Sequence, residues 1–166
     1  SQQHQKQEFK KISVVGLGYI GLPTAAMFAS RQVKVLGLDV NPHVVDQVNQ
    51  GEIHILEPDL DIVVRSVVTE GFLRASLEPE PAEAFLIAVP TPFKGEGREP
   101  DLKYIQAACD TIAPVLKAGN LVVLESTSPV GATEKMAEWL ARARSDLSFP
   151  PDAGENSDIR IAHCPE

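Results

Sequence analysis

The stretch VVGLGYIGLPTAAMFA, residues 14–29, decides the fold, because it places a glycine-rich turn between an apolar run and a helical pattern. The apolar run at residues 12–15 predicts a buried strand. Residues 22–31 predict a helix whose alanines allow it to approach a sheet closely. The turn at residues 16–21 has the spacing GxGxxG, so strand, turn and helix follow each other as in the first unit of a nucleotide-binding sheet.

Each glycine of this turn answers a separate physical requirement. Gly16 permits the tight turn after the strand, Gly18 lets backbone amides approach a pyrophosphate, and Gly21 lets the helix pack on the strand. The start of the helix then offers unpaired N–H groups and a partial positive charge to phosphates. The motif therefore predicts a dinucleotide site, with glycines that serve only packing as the alternative.

Asp39 predicts which dinucleotide binds. It ends the next predicted strand, residues 33–38, and lies 18 positions after Gly21. A carboxylate there accepts hydrogen bonds from both ribose hydroxyls and repels the 2′-phosphate of NADP. Residues 40–42 contain no Arg or Lys, so the sequence favours NAD. The alternative is that Asp39 only caps the turn before the next helix, which Asn41 begins.

Strands and helices alternate along the rest of the chain, which predicts an α/β fold. Further strands are expected at residues 72–75, 84–89, 120–125 and 159–163, and further helices at 42–50, 59–70, 102–116 and 132–144. Six strands in this rhythm predict a doubly wound parallel sheet of the Rossmann type, with three α/β/α layers and strand order 3-2-1-4-5-6. Ligands of such a sheet bind outside the carboxyl ends of the strands.

Length and composition exclude several classes of protein. The 166 residues correspond to about one domain, and 43% are hydrophobic, which is enough for a core. Residues 1–10 read as a flexible polar tail and residues 11–166 as the folded domain. The net charge of −8 argues against nucleic acid or an anionic membrane as a partner. No apolar run approaches a membrane span, and two distant cysteines favour a reducing cytoplasm.

Several other polar residues can be interpreted either as functional or as purely structural. Thr91, in the loop after the fourth strand, either donates its hydroxyl to the cofactor or belongs to a rigid loop. The hydroxyl cluster at residues 126–128, with Thr133 beyond it, forms either an anion-binding corner or a helix cap. Glu166 is either a general base or solvated. We expect Cys109 in the core, and Cys164 as a buried thiol at the end of the last strand. Histidines are scattered without ligand spacing, so no metal is predicted.

Six blocks of sequence together resemble the nucleotide-sugar 6-dehydrogenases. They are VVGLGYIGLPTAAMFA, GLDVNP, GEIHILEPDLD, IAVPTPFKG, LESTSPVGATEKMAEWL and AHCPE, and the resemblance as a whole covers about residues 11–166. Members oxidise the C6 hydroxyl of a UDP-sugar to a carboxylate in two NAD-dependent hydride transfers, through a thioester on a catalytic cysteine. Ser128 replaces a valine common in the UDP-glucose branch, which favours the N-acetylmannosamine branch.

The resemblance also implies roles for single residues. It places Tyr19, Ile20, Asp39, Thr91 and Thr133 against NAD. It implies that Thr127 helps to place the catalytic water and that Glu166 assists as base in thioester hydrolysis. Asp59 stands where the family's Glu-Pro-Gly-Leu segment has glycine.

The family's later segments are missing from this sequence, including the catalytic lysine and the Gly-Gly-x-Cys motif. We therefore expect an NAD-binding domain that is inactive alone, within a protein that is usually a homodimer. One alternative is a free-standing NAD-binding or sensing module, although no effector surface is evident. A second is a UDP-glucose type of 6-dehydrogenase. A third, the short hydroxyacid dehydrogenases, shares the glycine motif but lacks the VPTP and STSPVG blocks.

Overall fold

The computed structural model describes residues 9–125, 128–150 and 156–164, and its centre is a six-stranded parallel sheet. The strands are β1 (Lys11–Val15), β2 (Lys34–Leu38), β3 (Leu73–Ser76), β4 (Ala84–Ile87), β5 (Phe93–Lys94), β6 (Glu99–Pro100), β7 (Leu121–Leu124) and β8 (Arg160–His163). The sheet order is β3-β2-β1-β4-β7-β8, and β5 and β6 form a separate hairpin. Counted within the sheet, this is the predicted order 3-2-1-4-5-6, which is confirmed.

Helices cover both faces of the sheet. They are α1 (Gly21–Ser30), α2 (Pro42–Asn49), α3 (Leu60–Thr69), α4 (Lys103–Ile112) and α5 (Ala132–Ala143). One apolar cluster joins the sheet to α1, α2 and α3, and a second joins it to α4 and α5. The predicted three-layer architecture is therefore confirmed. Within the described part of the chain, no helix is both long and apolar enough to cross a membrane.

The register of the sheet brings all six strand ends to one level. One row of paired residues crosses the sheet near its carboxyl edge: Ser76, Leu38, Val15, Ile87, Leu124 and His163. The residues that follow this row therefore emerge at the same edge, which we call the carboxyl edge. They include Gly16, Asp39 and Glu125, as the doubly wound prediction requires.

Two segments differ from the predicted boundaries. The helix expected at residues 102–116 ends as an α-helix at Ile112, and a 3₁₀ turn follows at Ala113–Val115. Pro114 lies in that turn, where its missing N–H cannot continue α-helical bonding. The loop expected at residues 90–100 contains the antiparallel hairpin of β5 and β6, whose two-residue strands are too short for a periodic signal.

The last strand is more exposed than the sequence predicts. Arg160, Ala162 and His163 of β8 are exposed, and Ile161 is only half-buried. The cause is position, because β8 is the edge strand of the sheet and no described strand pairs with its outer side. The prediction that Cys164 is a buried thiol is therefore wrong, since this residue is exposed.

Candidate functional site

The turn between β1 and α1 is enclosed by the backbones of its neighbours. The amide of Gly16 donates to the carbonyl of Leu38 at 2.8 Å, and the amide of Ala88 donates to the carbonyl of Val15 at 2.8 Å. Gly16 has a φ of +98°, and a Cβ there would lie 2.6 Å from the Ala88 oxygen. At Gly21 a Cβ would lie 1.6 Å from the Gly16 oxygen. Both positions therefore admit only glycine.

Gly18 has the opposite surroundings. A Cβ built at Gly18 meets no atom of the described residues within 4 Å, and its φ lies outside the left-handed region. Folding therefore places no demand on this glycine. Its open side lies at the start of α1, where the helix has Ile20 at the N-cap and no acidic residue in its first turn. Leu22 and Thr24 already donate their amides to the Gly18 and Ile20 carbonyls at 3.1 and 3.2 Å, and Pro23 has no N–H, so an anion here would meet the amides of the turn that precedes them.

The Asp39 carboxylate ties the glycine turn to the start of α2. Its Oδ2 accepts a hydrogen bond from the Leu17 amide at 3.0 Å, and its Oδ1 accepts one from the Asn41 amide at 2.9 Å. Asn41 in turn caps α2 by accepting from the His43 amide at 3.0 Å. The capping role therefore accounts for one of the two bonds of Asp39, and each carboxylate oxygen keeps further acceptor capacity.

Leu17 and Gly37 form a contact that sequence reasoning missed. The Leu17 side chain is fully buried, and a Cβ at Gly37 of β2 would lie 2.7 Å from its Cδ2 atom. Gly37 thus makes room for the side chain that anchors the glycine turn in the core. A glycine inside a strand was the available signal, because such a residue often marks a close approach.

A cavity of about 290 Å³ opens beside Asp39 at the carboxyl edge. Its lining comes from the ends of β1, β2 and β4, from the residue after β3 and from one face of α4: Val15, Gly16, Leu38, Asp39, Val40, Leu77, Val89, Pro90, Tyr104, Ala107, Ala108 and Thr111. The lining is mostly apolar, and the cavity lies where the strand order reverses between β1 and β4. Such a place suits a flat aromatic group.

The α4 side of this cavity was not predicted. Residues 104, 107, 108 and 111 are spaced as one face of a helix, and small side chains at 107 and 108 leave space beside the sheet. Cys109, the next residue, is buried as predicted. Burial raises the pKa of its thiol to about 12, and the neighbouring Asp110 adds to this effect. Cys109 is therefore a core residue and not a nucleophile.

The turn between β7 and α5 holds the second group of predicted site residues. Thr127 lies outside the described residues. The Ser128 amide donates to the Glu125 carbonyl at 3.1 Å, and Gly131 occupies the N-cap position of α5 with a φ of +86°. Thr133, half-buried in the first turn of α5, donates its hydroxyl to the Glu134 carboxylate at 3.2 Å.

The remaining predicted residues have varied positions. Tyr19 and Ile20 are exposed at the start of α1, and half-buried Thr91 follows the cavity residue Pro90. Asp59, which stands for the family's glycine, has a φ of +63° at the N-cap of α3. Glu166 lies outside the described residues. The structure thus joins the glycine turn, Asp39 and the cavity into one site, here called the strand-end site.

Comparison with protein families matches residues 10–166 to the NAD-binding domain of the UDP-glucose/GDP-mannose dehydrogenase family. The chain belongs to this family. NAD is accordingly its cofactor, as the sequence predicted from Asp39 and the glycine turn.

Relatives of this NAD-binding domain carry names from two sugar branches. An NDP-N-acetyl-D-galactosaminuronic acid dehydrogenase of Ralstonia nicotianae is 67% identical over 96% of this chain and 37% of its own length. A UDP-N-acetyl-D-mannosamine dehydrogenase of Campylobacter jejuni is 65% identical over 96% of this chain and 39% of its own. The domain therefore spans less than two fifths of these curated relatives.

A solved structure has the same fold. The UDP-N-acetyl-D-mannosamine dehydrogenase of Pyrococcus horikoshii superposes with a TM-score of 0.83 at 40% identity, over 94% of this chain and 36% of that one. The α/β architecture of this NAD-binding domain is thus shared with that dehydrogenase.

Proposed function

We propose that this domain binds NAD across the strand-end site, within an enzyme that oxidises the C6 hydroxyl of UDP-N-acetyl-D-mannosamine. The product would be UDP-N-acetyl-D-mannosaminuronate, formed in two NAD-dependent steps for bacterial surface polysaccharide. The observation that carries the cofactor half is the open side of Gly18, next to an Asp39 carboxylate and an apolar cavity. The 65% identity to relatives with that name supports the substrate half.

The residues of the strand-end site fit NAD. The domain's own packing does not use the space at Gly18, so a pyrophosphate there would accept hydrogen bonds from amides of the glycine turn at the start of α1. Each oxygen of the Asp39 carboxylate accepts one backbone amide, from Leu17 or Asn41, and has a further lone pair. These lone pairs would accept hydrogen bonds from the ribose hydroxyls. The cavity of about 290 Å³ would take the adenine.

The nicotinamide end of the site would lie beyond the cavity. When bound, NAD accepts a hydride from the sugar. Tyr19, Ile20, Thr91 and Thr133 would contact the cofactor, as the resemblance to the family implies. In that role the Thr133 hydroxyl would exchange its Glu134 partner for the cofactor.

Two further residues would act on the sugar rather than on the cofactor. Thr127 would help to place the hydrolytic water, and Glu166 would assist as base in hydrolysing the thioester. Both roles rest on the resemblance to the family. We expect the 166-residue chain to bind NAD without turning over a sugar, because the family's catalytic cysteine and lysine belong to later segments.

A galactosamine nucleotide is the second candidate substrate. It is favoured by the Ralstonia relative, whose identity of 67% is as high as that of the mannosamine dehydrogenases. In either case we propose a cytoplasmic homodimer that acts on a nucleotide sugar. The full-length gene product should reduce NAD with one of the two UDP-N-acetylhexosamines, measured by NADH absorbance. Reduction of NAD with UDP-glucose alone would contradict both candidates.

Calorimetric titration of the 166-residue chain tests the cofactor site. We expect saturable NAD binding, with NADP at least about tenfold weaker because its 2′-phosphate meets the Asp39 carboxylate. Asp39→Ala should weaken NAD binding by about 1–3 kcal/mol, the scale of lost charge-assisted hydrogen bonds. It should also reduce the difference in affinity between NAD and NADP.

Asp46→Ala is the matched control for this titration. Asp46 is an exposed carboxylate on α2, so the variant removes the same charge without touching the strand-end site. NAD affinity should stay at the wild-type value. Equal losses in the two variants would show a general charge effect, and an unchanged affinity in Asp39→Ala would remove Asp39 from the site.

A further inference from the structure

The side chain of Asn49, the last residue of α2, is bonded to the edge strand β3. Its Nδ2 donates to the Ala75 carbonyl at 2.9 Å, and its Oδ1 accepts from the Ala75 amide at 2.8 Å. At the two ends of the parallel β2–β3 pairing, the amides of Val35 and Asp39 donate to the carbonyls of Phe72 and Ser76, so alternate residues of β3 face β2. Ala75 therefore turns its peptide groups outward, and the Asn49 amide pairs with them as a further strand would.

These two bonds fix the position of α2 along its axis, which its apolar packing alone does not. The helix has eight residues, about 12 Å in length, and it buries Val44, Val45 and Val48. Apolar contacts are non-directional, so they hold the helix against the core without fixing its position along its axis. A bidentate amide contact does fix that position, because both bonds must be satisfied at once.

The two elements joined by Asn49 each lead to the cavity. At the start of α2, Asn41 caps the helix and binds the Asp39 carboxylate, whose other oxygen holds the Leu17 amide. On the other side, the chain continues from Ala75 past the end of β3 to Leu77, which lines the cavity together with Asp39. One side chain thus connects two walls of the same cavity.

We infer that Asn49 is a positioning residue for the adenosine end of NAD. By holding α2 in place along β3, it keeps Asn41 and the Asp39 carboxylate in register with the Leu77 wall. The inference rests on the proposed use of the strand-end site, and it adds a residue on the far end of α2 that would not touch the cofactor.

Asn49→Ala tests this role, because the side chain is exposed and its removal leaves no cavity in the core. The variant should fold, and its dissociation constant for NAD should rise about fivefold, on the order of 1 kcal/mol. AMP is the half of NAD that carries the adenosine and one phosphate, so its affinity should fall by the same factor. Both are measured by calorimetry on the 166-residue chain.

Asn120→Ala is the matched control. Asn120 also binds a backbone group with its side chain, since its Oδ1 accepts from the Lys117 amide at 2.9 Å, but it precedes β7 on the other half of the sheet. This variant should lower the melting temperature without changing NAD affinity. An equal loss of affinity in both variants would show a purely structural effect and overturn the inference.

A second measurement needs no ligand. In Asn49→Ala the amide hydrogens of Asn41 and Leu17, which bond to Asp39, should exchange faster with solvent than in the wild type. Unchanged exchange, or unchanged NAD affinity beside normal wild-type binding, would contradict the role of Asn49 alone. Failure of the wild-type chain to bind NAD would instead contradict the proposed function.

Discussion

Two turns of this domain connect a strand to a helix at the same edge, and both use a glycine with positive φ. Gly16 follows β1 with a φ of +98°, and Gly131 precedes α5 with a φ of +86°. Their surroundings differ. A Cβ at Gly16 would lie 2.6 Å from a backbone oxygen, whereas at Gly131 it would meet no atom of the described residues within 4 Å. Val130, beside Gly131, is fully exposed.

This difference distinguishes glycines that the packing of the domain requires from glycines that it does not. Gly16 and Gly21 of the β1–α1 turn are determined by the domain itself, because neighbouring backbone atoms leave room for no larger residue at these two positions. The β7–α5 turn has few such contacts among the described residues. This open side leaves room for a bound group, as the proposed role of this turn at the sugar end requires.

The largest effect on stability should appear when one methyl group is added to the first turn, and the same change in the second turn should cost much less. Gly16→Ala forces both an unfavourable φ and a collision with the Ala88 carbonyl, so we expect a loss of about 4 kcal/mol in unfolding free energy. Gly131→Ala carries only the conformational cost, about 1 kcal/mol. Urea unfolding followed by circular dichroism measures both. Similar losses would mean that the enclosure of the first turn does not matter.

Gly18→Val separates folding from binding within the first turn. A side chain at Gly18 meets no described atom, so the free energy of unfolding should change by less than about 0.5 kcal/mol. NAD affinity should fall at least about 100-fold, near 2.7 kcal/mol, because the valine occupies the place of the pyrophosphate. Retained NAD binding in this folded variant would contradict the dinucleotide interpretation of the glycine motif.

The sequence predicted those features that local physics determines. The strand order and the cap at Asn41 follow from the alternation of strand and helix patterns and from Gly16, Gly21 and Asn41, each of which has a local reason to be there. The α4 wall of the cavity did not follow, because residues 104–111 have the same spacing as an ordinary core helix. The exposure of Cys164 did not follow either, since an edge strand and a central strand can carry the same apolar run.

Gly37→Ala extends the comparison to the residue behind the first turn. The new methyl group would press on the Leu17 side chain, which is fully buried and cannot leave without moving the glycine turn. Overpacking of this kind costs about 1–3 kcal/mol, so the effect on unfolding should be smaller than that of Gly16→Ala. The same urea titration measures it.

The double variant Gly37→Ala with Leu17→Val supplies the control for this contact. Removing one methylene from residue 17 should relieve the collision, so the two losses should not add. Fully additive losses would show that Gly37 and Leu17 act independently, and the turn would then be anchored by its backbone bonds alone.

The smallest change in stability is expected at Asp59, where a positive φ is strained by the side chain alone. Asp59 adopts a φ of +63° at the N-cap of α3, a conformation that glycine reaches without strain. Asp59→Gly should therefore raise the free energy of unfolding by about 0.5 kcal/mol, with part of the gain offset by the added freedom of the unfolded chain.

Asp61→Gly removes the same charge from the first turn of α3, but it places glycine inside a helix and should lower stability by about 0.5–1 kcal/mol. Opposite signs in the two variants would show that the backbone of residue 59, and not its charge near the helix start, determines which residue is best there. A loss of stability in both would mean that the Asp59 carboxylate stabilises α3 by more than the left-handed backbone costs.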